Sequence, residues 1–328
     1  MVMNGNFWKK RKVLVTGYEG FLGSNLTREL IRLKSDISGL DILTRRKGTV
    51  LSPDLDKVKI YTGSVEDFDL VTRIMRDNKI EIIFHLAATS LVGEALTDPL
   101  KAFSTNIRGT WNILEAARNN KSTKAVIIAS SDKAYGSQSR LPYREDSPLS
   151  GSHPYDASKS CADILASTYY HTYGLPVSVT RCGNIYGPGD LNFSRLVPDA
   201  LRRVNQNKTL IIRSDGKFTR DYIYVDDIVS AYLLLAFKMQ EGSIKGEAFN
   251  FSNESPLSVL ALLRKLYLCA NVKKPDYKIT NQAKYEIKHQ YLSAAKARRL
   301  LNWRPRYSLE EGLERTIKWY KDYFAKKY

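Results

Sequence analysis

Tyr155 and Lys159 stand four residues apart in His153-Pro-Tyr-Asp-Ala-Ser-Lys159, and Pro154 suits the first turn of a helix. On a helix this spacing puts a phenol and an ammonium on one face. A phenol of pKa about 10 is a poor base at neutral pH, and a neighbouring cation is expected to favour its phenolate. Such a pair also occurs on solvated helix faces, so its weight comes from its setting. Upstream, a strand candidate ends in Ser130-Ser131-Asp132-Lys133. That puts a hydroxyl, a carboxyl and an amine at a strand's carboxyl end, where ligands bind in open α/β sheets. Together these side chains can move protons at several atoms of one substrate.

A second constellation opens the chain. Gly17-x-x-Gly20-Phe21-Leu22-Gly23 follows a strand and begins a helix. Its glycines allow a tight turn, close backbone approach to a pyrophosphate and close helix–strand packing, while the helix N-terminus offers free N–H groups to phosphate. Asp41 lies 18 residues past Gly23, at the end of the second strand candidate. A carboxylate there accepts hydrogen bonds from a ribose 2′-OH and repels a 2′-phosphate, which favours NAD. Arg45 and Arg46 lie close enough to keep NADP open. His85-Leu86-Ala87-Ala88 ends the fourth strand candidate with small residues against which a cofactor can lie.

The elements that must hold these groups alternate. Strands are predicted at 12–16, 37–41, 58–61, 80–86, 124–130 and 177–181, and helices at 21–33, 68–78, 99–119 and 154–173. That rhythm predicts an α/β fold with a doubly wound, parallel, Rossmann-type sheet. After Arg181 the chain becomes turn-rich, and a smaller C-terminal substrate-binding lobe is expected. The predicted division is an NAD(P)-binding domain over 1–180 and a substrate-binding lobe over 181–328. Residues 220–252 are expected to return to the sheet through 222–237 and 249–251. Two last helices are expected at 294–301 and 309–324.

Composition excludes several classes. The 328 residues are 43% hydrophobic and 26% charged, ordinary globular values. No apolar run reaches the roughly 18 residues of a membrane span, and no apolar h-region precedes the first strand. The three cysteines form no CxxC, which fits a reducing cytoplasm and argues against a zinc site. The net charge of +17 is spread along the chain with no nucleic-acid motif, so it reads as a solvated surface.

With these motifs in place, the sequence resembles the extended short-chain dehydrogenase/reductase family, the NAD-dependent epimerases and dehydratases of nucleotide sugars. The likeness spans essentially the whole chain. Besides the motifs above, Ser104-Thr-Asn106 with Gly109-Thr110, Arg181-Cys-Gly-Asn184-Ile-Tyr-Gly187-Pro188, Arg220-Asp-Tyr-Ile-Tyr-Val-Asp-Asp227 and Leu301-Asn-Trp303-Arg-Pro305 carry it. The resemblance implies that Tyr155 is the acid/base at the sugar 4-OH, that Lys159 binds the nicotinamide ribose and that Ser131 hydrogen-bonds the sugar. It puts Asn184 and Arg220 on the diphosphate, Ser90 and Arg195 on the substrate, and Ser64, Val65 and Asn106 along the cofactor. One departure is Gly63-Ser64-Val65, where the family usually has Gly-Asp-Ile or Gly-Asp-Val and the Asp contacts adenine.

Asp132 and Lys133 separate the possible reactions. A 4-epimerase needs only hydride removal and return at C4, whereas a 4,6-dehydratase also needs an acid and a base. An Asp-Lys pair resembles CDP-glucose 4,6-dehydratases, whose Phe-Trp start is echoed by Phe7-Trp8. The expected activity is therefore a nucleotide-sugar 4,6-dehydratase, with a 4-epimerase or a non-catalytic NAD(P)-sensing protein as alternatives. The expected partner is a nucleotide-diphosphate hexose, without metal, nucleic acid or membrane. The resemblance also implies a homodimer through 99–119 and 154–173, or a tetramer of such dimers.

Overall fold

The run Val13-Leu14-Val15 is wholly buried, as a parallel strand with helices on both sides must be. A computed structural model describes residues 5–44, 47–242, 244–283 and 286–326 of the chain. In chain order the strands are β1 (Lys12–Thr16), β2 (Asp36–Asp41), β3 (Lys59–Thr62), β4 (Ile82–His85), β5 (Ala125–Ala129), β6 (Val177–Cys182) and β7 (Asn184–Tyr186). They continue with β8 (Leu210–Ile212), β9 (Thr219–Arg220), β10 (Tyr222–Tyr224), β11 (Ala248–Phe251), β12 (Leu257–Ser258), β13 (Tyr277–Ile279) and β14 (His289–Gln290). Among the described residues, seven of them form one sheet in the order β11-β6-β5-β4-β1-β2-β3, and every pair is parallel. The strand order reverses between β1 and β4, which is where such sheets open a ligand crevice.

The helices are α1 (Gly5–Trp8), α2 (Phe21–Arg32), α3 (Phe68–Asp77), α4 (Val92–Thr97), α5 (Pro99–Phe103) and α6 (Gly109–Asn119). After them come α7 (Pro154–Tyr173), α8 (Leu196–Asn205), α9 (Val225–Lys238), α10 (Val259–Cys269) and α11 (Leu309–Ala325). Alternation along the strands sends Val13, Val15, Phe84 and Ile127 to a core shared with α2 and α9. Leu14, Ile83, Val126 and Ile128 face the opposite core, shared with α3, α6 and α7. Trp8 belongs to the first core, stacked 6.2 Å from Phe84, so the Phe7-Trp8 start serves packing.

Two expectations are corrected. Only β11 of the 220–252 stretch joins the main sheet. β10 pairs instead with β7 in a separate two-stranded ribbon, and Val225–Lys238 is a helix on the sheet's face. Its long apolar run reads equally as strand or buried helix by pattern alone, and burial against α2 decides it. Likewise 99–119 is not one helix. A π turn over Ser104–Arg108 divides it, and the extra residue lets Asn106 reach the chain after β4. Asn106 accepts from Thr89 N at 2.8 Å and donates to Ser158 Oγ at 2.9 Å, tying that loop to the Tyr155 helix. The 294–301 helix also closes in a π turn, Ala297–Leu301.

Candidate active site

A cavity of about 880 Å³ lies along the carboxyl ends of the strands. The fingerprint glycines form one end of it. Gly17 has φ +69°, and a Cβ there would sit 2.8 Å from Ala87 N; a Cβ on Gly23 would collide with Gly17 O. Gly20 caps α2 without a side-chain hydrogen bond, so the first N–H groups of that helix are left for a ligand. This cradle fits a dinucleotide pyrophosphate. Asp41 lines the same cavity, accepting from Glu19 N at 3.2 Å and Leu43 N at 3.1 Å. Ser64, Val65, Leu86, Ala87 and Ala88 continue the wall. Arg45 and Arg46 lie outside the described residues.

His85, behind this wall, is held by two hydroxyls: Thr16 Oγ1 at 2.8 Å from Nδ1 and Thr110 Oγ1 at 3.2 Å from Nε2. Burial and the nearby Lys159 charge push it down to about 3, so it is neutral and structural.

The reactive groups gather at the other end. Ser131, Asp132, Lys133, Tyr155 and Lys159 all line the cavity, with Ser90, Asn184 and Arg195. Pro154 begins α7, which sets Tyr155 and Lys159 on its buried face. The Ser131 hydroxyl caps a 3₁₀ turn by accepting from Lys133 N, and donates to Asp132 Oδ1 at 3.0 Å. Asp132 is 3% exposed, and its Oδ2 has no partner. Burial pushes the Asp132 carboxyl above its ordinary value, against the opposing Lys133 charge. Desolvation pushes the half-buried Lys133 amine below its ordinary value. The carboxyl is thus driven towards its protonated form and the amine towards its neutral one.

Tyr155 departs from expectation. Burial lifts its phenol to about 12, and the group that chiefly opposes this is the Ser131 side chain, not Lys159. Lys159 Nζ donates to Ala129 O at 2.7 Å and lies 5.9 Å from the Tyr155 ring centroid, while burial lowers it to about 8.

Two expected contacts do not face the cavity. Asn106 sits behind the wall and supports Thr89. Arg220, 6% exposed, turns its guanidinium to Thr219 O, Lys288 O and Glu286. Its side chain also stays within electrostatic reach of Asp132 and Lys133.

Two residues escaped the sequence reading. Glu19, 1% exposed, lines the cavity next to Asp41, to which its backbone N donates, while its carboxylate accepts from the buried Tyr18 hydroxyl; an acid inside the glycine fingerprint was the available signal. Gln290 reaches Lys133 from the far end of the chain, and no local pattern marks it.

A family model described as GDP-mannose 4,6 dehydratase matches residues 14–316. CDP-glucose 4,6-dehydratase from Salmonella typhimurium is 31% identical over 98% of this chain and 93% of its own. The structure of dTDP-glucose 4,6-dehydratase from Streptomyces venezuelae, solved with NAD bound, superposes with TM-score 0.87 and 30% identity over 95% of this chain and 97% of its own. The UDP-glucose 4-epimerase of Thermotoga maritima, solved with UDP-glucose, gives TM-score 0.87 and 30% identity over 95% and 99%.

Proposed function

The chain belongs to the GDP-mannose 4,6-dehydratase family, and from that premise we propose that it is an NAD-dependent nucleotide-sugar 4,6-dehydratase. It converts an NDP-hexose into the NDP-4-keto-6-deoxyhexose. One observation carries the reading: beside Ser131 and Tyr155 stand a carboxyl driven to keep its proton and an amine driven to lose one. Loss of water needs both, and inversion at C4 needs neither.

In this reading Gly17, Gly20, Phe21, Leu22 and Gly23 hold the pyrophosphate, Asp41 the adenosine ribose, Ser64 and Val65 the adenine, and Lys159 the nicotinamide ribose. When bound, NAD supplies the hydride acceptor for C4, the hydride donor for C6 and a cationic ring that favours the Tyr155 phenolate. Tyr155 Oη takes the proton of the 4-hydroxyl. Lys133 Nζ takes the C5 proton and later returns one to C5. Asp132 gives its proton to the departing 6-hydroxyl, which leaves as water. One proton is then left on Tyr155 and one is missing from Asp132. The Ser131 Oγ–Asp132 Oδ1 hydrogen bond, with Tyr155 in the same cavity, supports a single relay through Ser131 that restores both. Asn184 and Arg195 meet the diphosphate, Ser90 the sugar, and residues 181–328 supply most of the nucleotide lobe.

The test is incubation with a panel of NDP-hexoses, followed by mass spectrometry for loss of one water. A 4-epimerase is the second reading, favoured by the equal TM-scores of an epimerase and a dehydratase.

We also propose a homodimer, supported by Leu100, Ile164 and Tyr173, which are 80%, 56% and 55% exposed on the mutually packed helices α5 and α7. Light scattering of Ile164→Asp should show a monomer. A cytoplasmic setting is supported by the free thiols of Cys161, Cys182 and Cys269. Among the described residues no helix is long and apolar enough to cross a membrane.

A further inference from the structure

Lys133 leaves the strand-end turn and meets a residue from a distant part of the sequence. Its Nζ donates to Gln290 Oε1 at 2.8 Å. Gln290 is wholly buried, and its Nε2 has no partner. It lies on β14, whose parallel register sets it beside Arg220 of β9. The charged groups facing Lys133 are Asp132 from its own turn, Asp156 from α7, Arg220 from β9 and Glu286 from the segment before β14. His153 stands beyond Asp156.

We propose that Gln290 is a positioning residue, whose amide holds Lys133 Nζ towards the sugar and gives the amine a hydrogen-bond partner in both of its protonation states. The inference rests on the reading of Lys133 as the C5 base. An ammonium donates to the amide carbonyl, the arrangement seen here. A neutral amine offers a lone pair, which the amide N–H meets after a flip of the side chain. The unpartnered Nε2 is the donor that this second arrangement uses. Because the amide is neutral, it steers the amine without adding an opposite charge that would fix its proton. A carboxylate in its place would favour the ammonium. Arg220, paired with Gln290 across β9 and β14, disfavours a second cation at Lys133. Filling space does not account for Gln290, since an unbranched apolar side chain would fill the same volume without burying an unpaired N–H.

The test follows the Lys133 amine by NMR in NAD-loaded enzyme carrying ¹³C at the lysine ε-carbons, with Lys133→Met identifying the signal. In parallel, the pH profile of turnover and C5 solvent exchange is measured with CDP-glucose or dTDP-glucose, whichever loses water. Gln290→Glu is expected to raise the titration midpoint by about one unit and to move the acid limb of the profile with it, a roughly tenfold loss of neutral amine below the midpoint. Gln290→Met is expected to lower kcat about tenfold while KM stays within about twofold. A midpoint and acid limb that stay in place in Gln290→Glu overturn the proposal. So does Gln290→Met if it only lowers the melting temperature. Retention of C5 exchange in Lys133→Met would instead overturn the base reading, and the role of Gln290 in the reaction falls with it.

Discussion

Ser131 Oγ donates to Asp132 Oδ1 across 3.0 Å, and both line one cavity with Tyr155, so this hydroxyl stands among the groups assigned to O4 and O6 of the sugar. Tyr155→Phe should lower turnover about 100-fold or more, the scale of a lost general acid/base. NAD and nucleotide-sugar affinity should change little by titration. Ser131→Ala should slow steady-state turnover by a similar factor, and Ser131→Thr should keep most of it. Equal rates for the two Ser131 variants would remove the relay.

Substrate deuterated at C4 should give product deuterated at C6, with a solvent hydrogen at C5. Asp132→Asn should halt the reaction at the 4-keto stage, before water leaves. Lys133→Met should suppress C5 exchange about 100-fold. A C4 epimer that retains its C4 label would promote the epimerase reading.

Asp41 brings a carboxylate to one end of the cavity, where a 2′-phosphate would meet it. The enzyme should bind NAD at least tenfold more tightly than NADP. Asp41→Ala should narrow that ratio. Calorimetric titration of both cofactors checks this, and equal affinities in the unaltered protein would refute it.

Asp221 is 1% exposed, accepts from Ser252 Oγ and Leu292 N through Oδ2, and leaves Oδ1 without a partner. Burial pushes its carboxyl up to about 6. The folded state thus holds this proton more tightly than the unfolded chain. The associated stability is full below the ordinary carboxyl range and is lost as pH rises towards 6, a cost of roughly 3 kcal/mol at neutrality. Asp221→Asn should therefore raise the melting temperature by a few degrees at pH 8, and by less at pH 5. A uniform shift at both values would show that ionisation is not the cause.

Much of this was legible in the sequence for local reasons. A parallel strand buried on both faces shows as an apolar run, and 12–16 coincides with β1. Pro154 and the Gly174 cap bound α7 at Pro154–Tyr173, as the pattern indicated. The glycine fingerprint is legible because its constraint is steric and local. What stayed hidden depends on distant partners. The π turn at Ser104–Arg108 is held by Glu66, which accepts from the Ser104 and Thr105 hydroxyls. The raised Tyr155 phenol reflects burial that spacing does not carry, and the turn of Arg220 towards Glu286 depends on a paired ribbon.

The Lys133–Gln290 contact spans 157 residues of chain, and this fixes an order of events during synthesis. Domains fold as the chain emerges, amino-terminal part first. The dinucleotide cradle and the Tyr155 helix are complete in sequence by 173, and the last strand of the central sheet by 251. The lysine meets its amide only after a further 39 residues have been made. A growing chain can therefore capture its cofactor well before that contact exists. The Lys133–Gln290 contact is thus made after the cradle and the central sheet are complete in sequence.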